Sequence, residues 1–211
     1  MKKVLVLVAA LALFAAPALA AVSGTAHDLT SVDTGTNTEI CVYCHTPHGA
    51  DTSVTNAPLW NRGTTNATGT TYVGLDLEVP NATLAVINQT DAPLCLSCHD
   101  GASLNAVLNN PPNSGTIALG ANQVGANANI GVDLSNDHPI GFNYETVQGL
   151  DTEIILKATV EGATGMTGAV SYNGGNDMWC SSCHDVHDNA NGAFLRVNNA
   201  GSNLCLTCHI K

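Results

Sequence analysis

The chain has little positive charge and few aromatic side chains. Six lysines and arginines stand against 17 acidic residues among 211, and the formal net charge is −11. Binding to nucleic acid needs a cationic surface for the phosphates, so this balance argues against a nucleic-acid partner. Phe, Trp and Tyr make up only 4% of the chain. Because so few aromatics do not build a conventional core, the sequence predicts a loop-rich chain whose interior holds something besides large side chains.

Long apolar runs are also scarce, and the one that exists lies at the start. Lys2 and Lys3 precede an apolar run from Val4 to Ala16, and residues 18–20 read Ala-Leu-Ala. This order is typical of a secretory signal peptide cleaved after residue 20. Thirteen apolar residues are too few to span a bilayer. We therefore expect residues 1–20 to be removed on export.

The remaining chain is acidic, and its sequence predicts no membrane span. Without the two leading lysines it keeps four basic and 17 acidic residues, a formal net charge of −13. No cysteine lies at the cleavage point, which argues against a lipid anchor. We expect an exported protein, either extracellular or on the cell surface, with the periplasm as the alternative.

All eight cysteines fall in pairs with two residues between them, and a histidine follows each pair at once. The four strings are CVYCH, CLSCH, CSSCH and CLTCH. C-x-x-C-H is the attachment signature of c-type haem, in which both thiols form thioethers and the histidine binds iron. The predicted attachment residues are Cys41, Cys44, Cys95, Cys98, Cys180, Cys183, Cys205 and Cys208. The predicted proximal iron ligands are His45, His99, His184 and His209.

Two other interpretations of paired cysteines compete with covalent haem. An exported chain with an even number of cysteines could be a disulfide scaffold. Paired C-x-x-C motifs could also bind zinc. Neither interpretation requires a histidine after every pair, so the sequence favours four covalently bound haem c groups.

The other four histidines equal the irons in number. They are His27, His48, His138 and His187. This equality predicts bis-histidine ligation of every haem, with Met166 and Met178 as the thioether alternatives. His48 and His187 each follow a proximal histidine by three residues, so neither reaches the far face of its own haem. Each must ligate a different haem.

Bis-histidine irons have no open position for a substrate, which metal-centred catalysis requires. We therefore expect an electron carrier and not an enzyme. Trp60 and Trp179 are predicted to pack against haem. For Arg62 and Arg196, pairing with haem propionates and solvated surface charge remain equally open interpretations.

The motifs divide the chain unevenly. We predict a signal peptide (1–20) and one tetrahaem domain (21–211) in which residues 101–179 form a haem-free insertion. Within the insertion, turn-forming residues from Pro111 to Gly131 predict irregular loops, and β-branched residues predict short strands over 152–160 and 168–172. Residues 82–88 fit either a helical turn or a strand. The expected fold is a multihaem cytochrome c: mostly coil, single-turn helices at the haem motifs, a few short β-strands, and a core formed by the haems.

The strings CVYCHTPHG, CSSCHDVH, NDHPIG and HDLT, with the four motifs and four spare histidines, carry a resemblance. The chain resembles the tetrahaem extracellular cytochromes of metal-respiring bacteria that polymerise into nanowires, the OmcE-like family. The resemblance implies head-to-tail stacking into a homopolymer, one continuous row of haems, and a histidine donated to a haem of the neighbouring subunit. It also implies redox partner cytochromes or extracellular acceptors such as metal oxides.

Other functions remain open beside the conductive filament. One is a monomeric periplasmic tetrahaem carrier, and a weaker one is a subunit of a haem enzyme complex. For the filament, His27 is the predicted donor between subunits, because it lies on an N-terminal arm ahead of every motif. Its predicted target is the haem of Cys205 and Cys208 in the adjacent subunit.

Overall fold

The computed structural model describes residues 22–53, 57, 59–69, 72, 79, 82–102, 104, 108–172 and 174–210. The predicted signal peptide lies outside the described residues. Coil and turns dominate the described parts, as the sequence predicts. No helix among them is long and apolar enough to cross a membrane.

The helices are short and occur both at the motifs and between them. The α-helices are α1 (Leu84–Ile87), α2 (Ala92–His99), α3 (Tyr144–Leu150), α4 (Lys157–Gly162) and α5 (Asn203–Cys208). The 3₁₀ helices are Leu29–Ser31, Ile40–Tyr43, Cys180–Ser182 and Ala200–Ser202. Two strands, β1 (Phe142–Asn143) and β2 (Asp177–Met178), pair antiparallel, with Phe142 opposite Met178.

The expectation that helices are confined to single turns at the motifs is wrong. α3 and α4 lie in the insertion, and α2 runs for eight residues through the second motif. Local signals explain these helices: Pro93 lies in the first turn of α2, and the Asn143 side chain accepts a hydrogen bond from Thr146 N at 2.9 Å to cap α3. Residues 82–88, which fit two interpretations, contain α1, capped by Thr83.

The predicted strand over 152–160 is wrong in its second half, where α4 begins at Lys157. Its first half forms backbone hydrogen bonds with residues 208–210. Ile155 N donates to Cys208 O at 2.8 Å, and Ile210 N donates to Glu153 O at 2.7 Å. Tertiary contacts override the β-propensity of this segment. Lys157, the first residue of α4, donates from Nζ to Asn176 Oδ1 at 2.7 Å. Residues 168–172 form turns with one isolated bridge at Tyr172, so the second strand is also wrong.

Two apolar clusters form the interior. The smaller one surrounds the first motif and includes Leu29, Tyr43 and Leu108, with Cys44 and Cys98 packed against it. The larger one contains most of the remaining buried residues, and cysteines of the third and fourth motifs pack against it. At least one cysteine of every motif therefore lies beside apolar side chains, which is where an apolar prosthetic group gains most from burial.

Candidate cofactor site

Each C-x-x-C-H motif forms one helical turn. In the first, third and fourth motifs the histidine N donates to the carbonyl of the first cysteine, at 2.8, 3.2 and 2.9 Å respectively. The second motif lies in the last turns of α2. Residues three and four apart on a turn project from the same side. The first cysteine of each motif therefore lies on the same side of the turn as the second cysteine and as the histidine, which is the spacing that covalent attachment beneath an iron requires.

Three of the four proximal histidines face a second histidine ring. The ring centres of His45 and His187 lie 6.1 Å apart, those of His27 and His99 6.2 Å, and those of His138 and His209 6.3 Å. Two imidazoles bound to opposite sides of one metal have centres about 6 Å apart, because each metal–nitrogen bond is about 2 Å and the nitrogen lies ~1 Å from its ring centre. The spacing fits an iron between the rings of each pair.

The pairs bear on two expectations. His27 faces His99 of its own chain, which favours a ligand role within the chain over the predicted donation to the fourth motif of a neighbour. The fourth motif's His209 faces His138, which lies in the insertion between the second and third motifs. His187, three residues after His184, faces His45 and not its own motif's haem site. This last placement agrees with the spacing argument made from the sequence.

Backbone carbonyls orient several of the rings. Nδ1 of His99 lies 2.6 Å from Ala128 O, and Nδ1 of His184 lies 3.0 Å from Ala193 O. A carbonyl acceptor fixes the proton on Nδ1 and leaves the Nε2 lone pair for a metal. Ala128 belongs to the insertion, so a segment without haem motifs orients the predicted proximal ligand of the second motif.

The His27 ring is half-buried against other rings. Its ring stacks on Phe194, with centres 4.0 Å apart and planes inclined by 20°. Burial lowers the pKa of His27, and the nearby His99 and His184 act in the same direction. The neutral imidazole is the form that binds a metal. The N-terminal arm therefore packs against the third-motif segment and leaves the His27 ring suited to ligation.

His48 and His184 are the two candidate ligands left without an opposite ring. Both are exposed. Among the residues that the structure describes, no aromatic or imidazole ring faces either of them at the spacing of the three pairs. The backbone of the His48 turn is nevertheless fixed, since Asn110 Nδ2 donates to His48 O at 2.8 Å. One proximal ligand and one distal ligand thus remain on the surface of the same chain.

A cavity of about 470 Å³ opens beside the His138–His209 pair. Its wall is largely apolar and also contains the Cys208 side chain. The apolar lining comes from Val79, Phe142, Val147, Ile154 and Met178. An apolar lining beside a histidine pair and a cysteine fits a porphyrin. Met178 reaches the cavity wall, but His138 holds the position opposite His209, while Met166 is buried in the larger cluster.

Cysteines of successive motifs lie close together. Burial, together with the nearby Cys98, raises the pKa of Cys44 to about 11. Burial and the nearby Cys208 raise the pKa of Cys183 to about 11. Cys180 shares a side-chain contact with Cys95. The first motif therefore adjoins the second, the second adjoins the third, and the third adjoins the fourth.

The two tryptophans and Arg62 are buried, and Arg196 is half-buried. Trp60 lies edge-on to His45 at 6.3 Å, and Trp179 stacks on Tyr172 at 4.8 Å. Arg62 Nη2 donates to Ser97 O at 3.1 Å, and Arg196 Nε donates to Ser181 O at 2.6 Å. Within the described residues, Arg62 Nη1 and Trp179 Nε1 are buried donors without a hydrogen-bond partner. Such orphaned donors fit a site whose remaining acceptors come from a cofactor.

The sequence did not indicate the polar residues that hold the motifs together. Asn61 is fully buried and bonds the carbonyl of Val42 inside the first motif at 2.7 Å. Asp91 accepts hydrogen bonds from the third motif. Asp91 before Ala-Pro could have been identified as a helix N-cap, but its partners are about 90 residues away. No local pattern reports such contacts.

A family model described as the doubled CXXCH motif matches residues 172–211. The matched segment contains the third and fourth motifs. No curated protein matches the chain. Paired CXXCH motifs indicate covalently bound haem c and a multihaem cytochrome-like protein of electron transfer. The match covers the third and fourth motifs only, and the paired histidines extend the same chemical pattern to the rest of the chain.

Proposed function

We propose that the protein is an exported tetrahaem cytochrome that forms a head-to-tail filament and carries electrons outside the cell. In this proposal each motif binds one haem c. Three haems take both axial histidines from their own chain: His45 with His187, His99 with His27, and His209 with His138. The fourth is held by His184 and completed by His48 of a second copy. The observation that supports the filament is that one proximal and one distal histidine are left exposed without an opposite ring among the described residues.

Two features support electron transfer over catalysis. Six-coordinate irons leave no open position for a substrate, and haem when bound supplies reversible one-electron exchange. Cysteines of successive motifs adjoin one another along the whole series. Thioethers at these cysteines would place neighbouring haem edges close together, as a continuous electron path requires.

The exposure of His48 supports donation to another copy. His48 lies in an exposed bend three residues after His45. The ring that His45 faces is that of His187, so in this proposal the first haem takes no ligand from His48. Pro47 and the Asn110 contact hold this turn in place, so His48 is presented at a defined surface position.

Two kinds of contact would pair the leftover histidines. A closed dimer, in which each copy donates its His48 to the other, is isologous, whereas the proposed filament requires a heterologous contact between two different patches. Repeated, a heterologous contact generates a ring if the rotation closes and an open filament if it does not. A ligand–iron bond at each junction would both complete the haem and fix the distance between haems of neighbouring subunits. The electron path would then continue from one subunit to the next.

Electron microscopy and absorption spectroscopy of secreted holoprotein test the proposal. We expect four covalent haems per chain, no free thiols, and filaments whose haems are all low-spin. His48→Ala should give monomers with one high-spin haem per chain that binds carbon monoxide when reduced. Added to the wild type in small amounts, it should shorten the filaments, because a chain that cannot donate His48 ends growth.

His187→Ala is the matched control. It also removes a histidine three residues after a proximal ligand, but it opens the first haem inside the monomer and leaves the His48–His184 contact available. If His48→Ala forms filaments with four low-spin haems, the donation by His48 is wrong. If the wild type stays monomeric with one high-spin haem, the alternative of a monomeric periplasmic carrier replaces the filament.

A net charge of −13 on the chain without residues 1–20 is the feature that favours the monomeric alternative, because like charges oppose self-association. Filament formation should therefore increase with ionic strength. The proposed electron acceptors are partner cytochromes and extracellular metal oxides. Reduction of ferric oxide by secreted filaments, compared with His48→Ala monomers at equal haem concentration, would test the extracellular role.

A further inference from the structure

Asp91 is a buried carboxylate with an unusual set of partners. It lies at the N-cap of α2, the helix that carries the second motif, yet its side chain makes no capping bond to that helix. Instead, Oδ1 accepts from Cys180 N at 3.0 Å, and Oδ2 accepts from Ser181 N at 2.8 Å and from Ser181 Oγ. All three donors belong to the third motif. Asp91 therefore connects two motifs that are far apart in the sequence.

The carboxylate is held by these contacts and by no opposite charge. Asp91 is 6% exposed, and within the described residues it forms no ion pair with a lysine or arginine. A buried carboxylate is costly unless hydrogen bonds satisfy it. Two backbone N–H groups at the start of the Cys180–Ser182 helix provide that satisfaction, so the second and third motifs are locked in one relative position.

The locked position brings two attachment sulfurs together. One ligand atom each from Asp91, Cys95 and Cys180 lie within 4.8 Å of one another. The thiols of the two cysteines stand in for thioether sulfurs, each bonded to a porphyrin edge. The contact between these sulfurs is therefore where the edges of the second and third haems would meet.

Resting on the proposed haem binding, we propose that Asp91 is a positioning residue that sets the contact between the second and third haems. Its negative charge, beside both sulfurs in a buried environment, stabilises the ferric form of each iron over the ferrous form. The reduction potentials of these two haems are therefore lower than their axial ligands alone would give. Asp91 thus acts on both the coupling and the potential at the middle step of the electron path.

The test uses holoprotein variants with redox titration and circular dichroism in the Soret band. Asp91→Asn removes the charge and keeps the shape. Two of the four midpoint potentials should shift to more positive values, and the split Soret signal from neighbouring haems should weaken. Asp91→Glu keeps the charge, so the potentials should stay low while the Soret signal changes. Asp100→Asn is the comparison variant, because Asp100 lies at the other end of α2, near Cys98 of the second motif, and bonds Thr65 and Ala102. It should shift at most one potential and leave the split Soret signal unchanged.

Ser181→Ala gives a second measurement that does not depend on whether Asp91→Asn folds and binds all its haems. It removes one donor from the carboxylate, so the negative charge is less compensated. The same two potentials should shift to more negative values, opposite in sign to Asp91→Asn. A purely structural defect would not reverse the sign. Equal spectra and potentials for Asp91→Asn and Asp100→Asn, or shifts of one sign for both Asp91→Asn and Ser181→Ala, would overturn the proposal.

The haem content of every variant is measured in parallel. Wild-type protein with fewer than four haems would contradict the proposed function itself. Four haems in each variant, with potentials unaffected by Asp91, would contradict only the role of Asp91. The two failures are therefore distinguishable.

Discussion

Replacing Asn61 with alanine should destabilise the protein more than any other single asparagine substitution near the first motif. Asn61 has no exposed surface. Its Nδ2 donates to Val42 O at 2.7 Å and to Asn110 O at 3.0 Å, and its Oδ1 accepts from Asn110 N at 2.9 Å. The side chain therefore joins the first motif to the segment that supports the His48 turn.

The expected magnitude follows from what each lost bond leaves behind. The bond to Val42 is fully buried, so its carbonyl loses its partner without gaining water, at a cost of about 1–3 kcal/mol. The two bonds to Asn110 are partly accessible, so water recovers some of the loss and each costs about 1 kcal/mol. Asn61→Ala should lower the free energy of unfolding by roughly 3–5 kcal/mol, a large fraction of the 5–15 kcal/mol that is common for domains.

Urea unfolding followed by far-ultraviolet circular dichroism measures this loss. With a slope of about 2 kcal/mol per molar urea, the midpoint should fall by about 2 M. Asn109→Ala is the control, because that side chain is exposed, and it should change stability by less than about 0.5 kcal/mol. A midpoint shift for Asn61→Ala below roughly 0.5 M would refute the reasoning. Filament yield should fall as well, because the His48 turn loses its support.

Three further predictions concern stability. Leu96 and Leu206 occupy the same position in two motifs, but Leu96 is fully buried and Leu206 is 43% exposed. Leu96→Ala should therefore lower the free energy of unfolding in urea by about 2–5 kcal/mol, and Leu206→Ala should lower it by less than about 0.5 kcal/mol. Equal losses would contradict the described packing. A Cβ on Gly35 would lie 2.0 Å from a facing backbone carbonyl oxygen, whereas one on Gly63 would meet nothing within 4 Å. Gly35→Ala should therefore lower the thermal midpoint and Gly63→Ala should not, and the reverse order would show the close approach to be wrong. Burial, and then a hydrogen bond to a carboxylate, raises the pKa of Tyr43 to about 12, so the folded state keeps this proton where the unfolded chain loses it. This contribution to the free energy of unfolding should be fully present below the ordinary tyrosine pKa of about 10 and should be lost between pH 10 and about pH 12. In Tyr43→Phe the free energy of unfolding should fall less steeply over the same range. Identical alkaline profiles for the wild type and Tyr43→Phe would rule this out.

Parts of the fold were predictable and parts were not, for identifiable reasons. The irregular run from Pro111 to Gly131 follows from turn-forming residues, whose preferences act within a few positions. The strand predicted over 152–160 failed because β-branched residues fit a strand only when a partner extends alongside. The partner here is the short C-terminal segment around His209, so extension stops after Ile155 and the chain continues into α4.

The sequence by itself determined the local chemistry. Two thiols and a proximal histidine lie within five residues, and the hydrogen bond from the histidine N to the first cysteine's carbonyl closes one turn around them. All the residues of such a turn belong to one motif, so the haem-attachment motifs could be recognised without a fold. The equal numbers of irons and spare histidines likewise require only counting.

Only the tertiary structure decided which histidine faces which motif. His45 and His187 are 142 positions apart, yet their ring centres lie 6.1 Å apart. The sequence favoured His27 as the histidine donated between subunits because it lies on a terminal arm, but the arm folds back and stacks its ring on Phe194. His48, close to a motif and therefore expected to serve a nearby haem, is the ring left at the surface. Contacts of this kind depend on the path of the whole chain and on the burial that fixes it, whereas spacing within a motif depends only on the hydrogen bonds of a single turn.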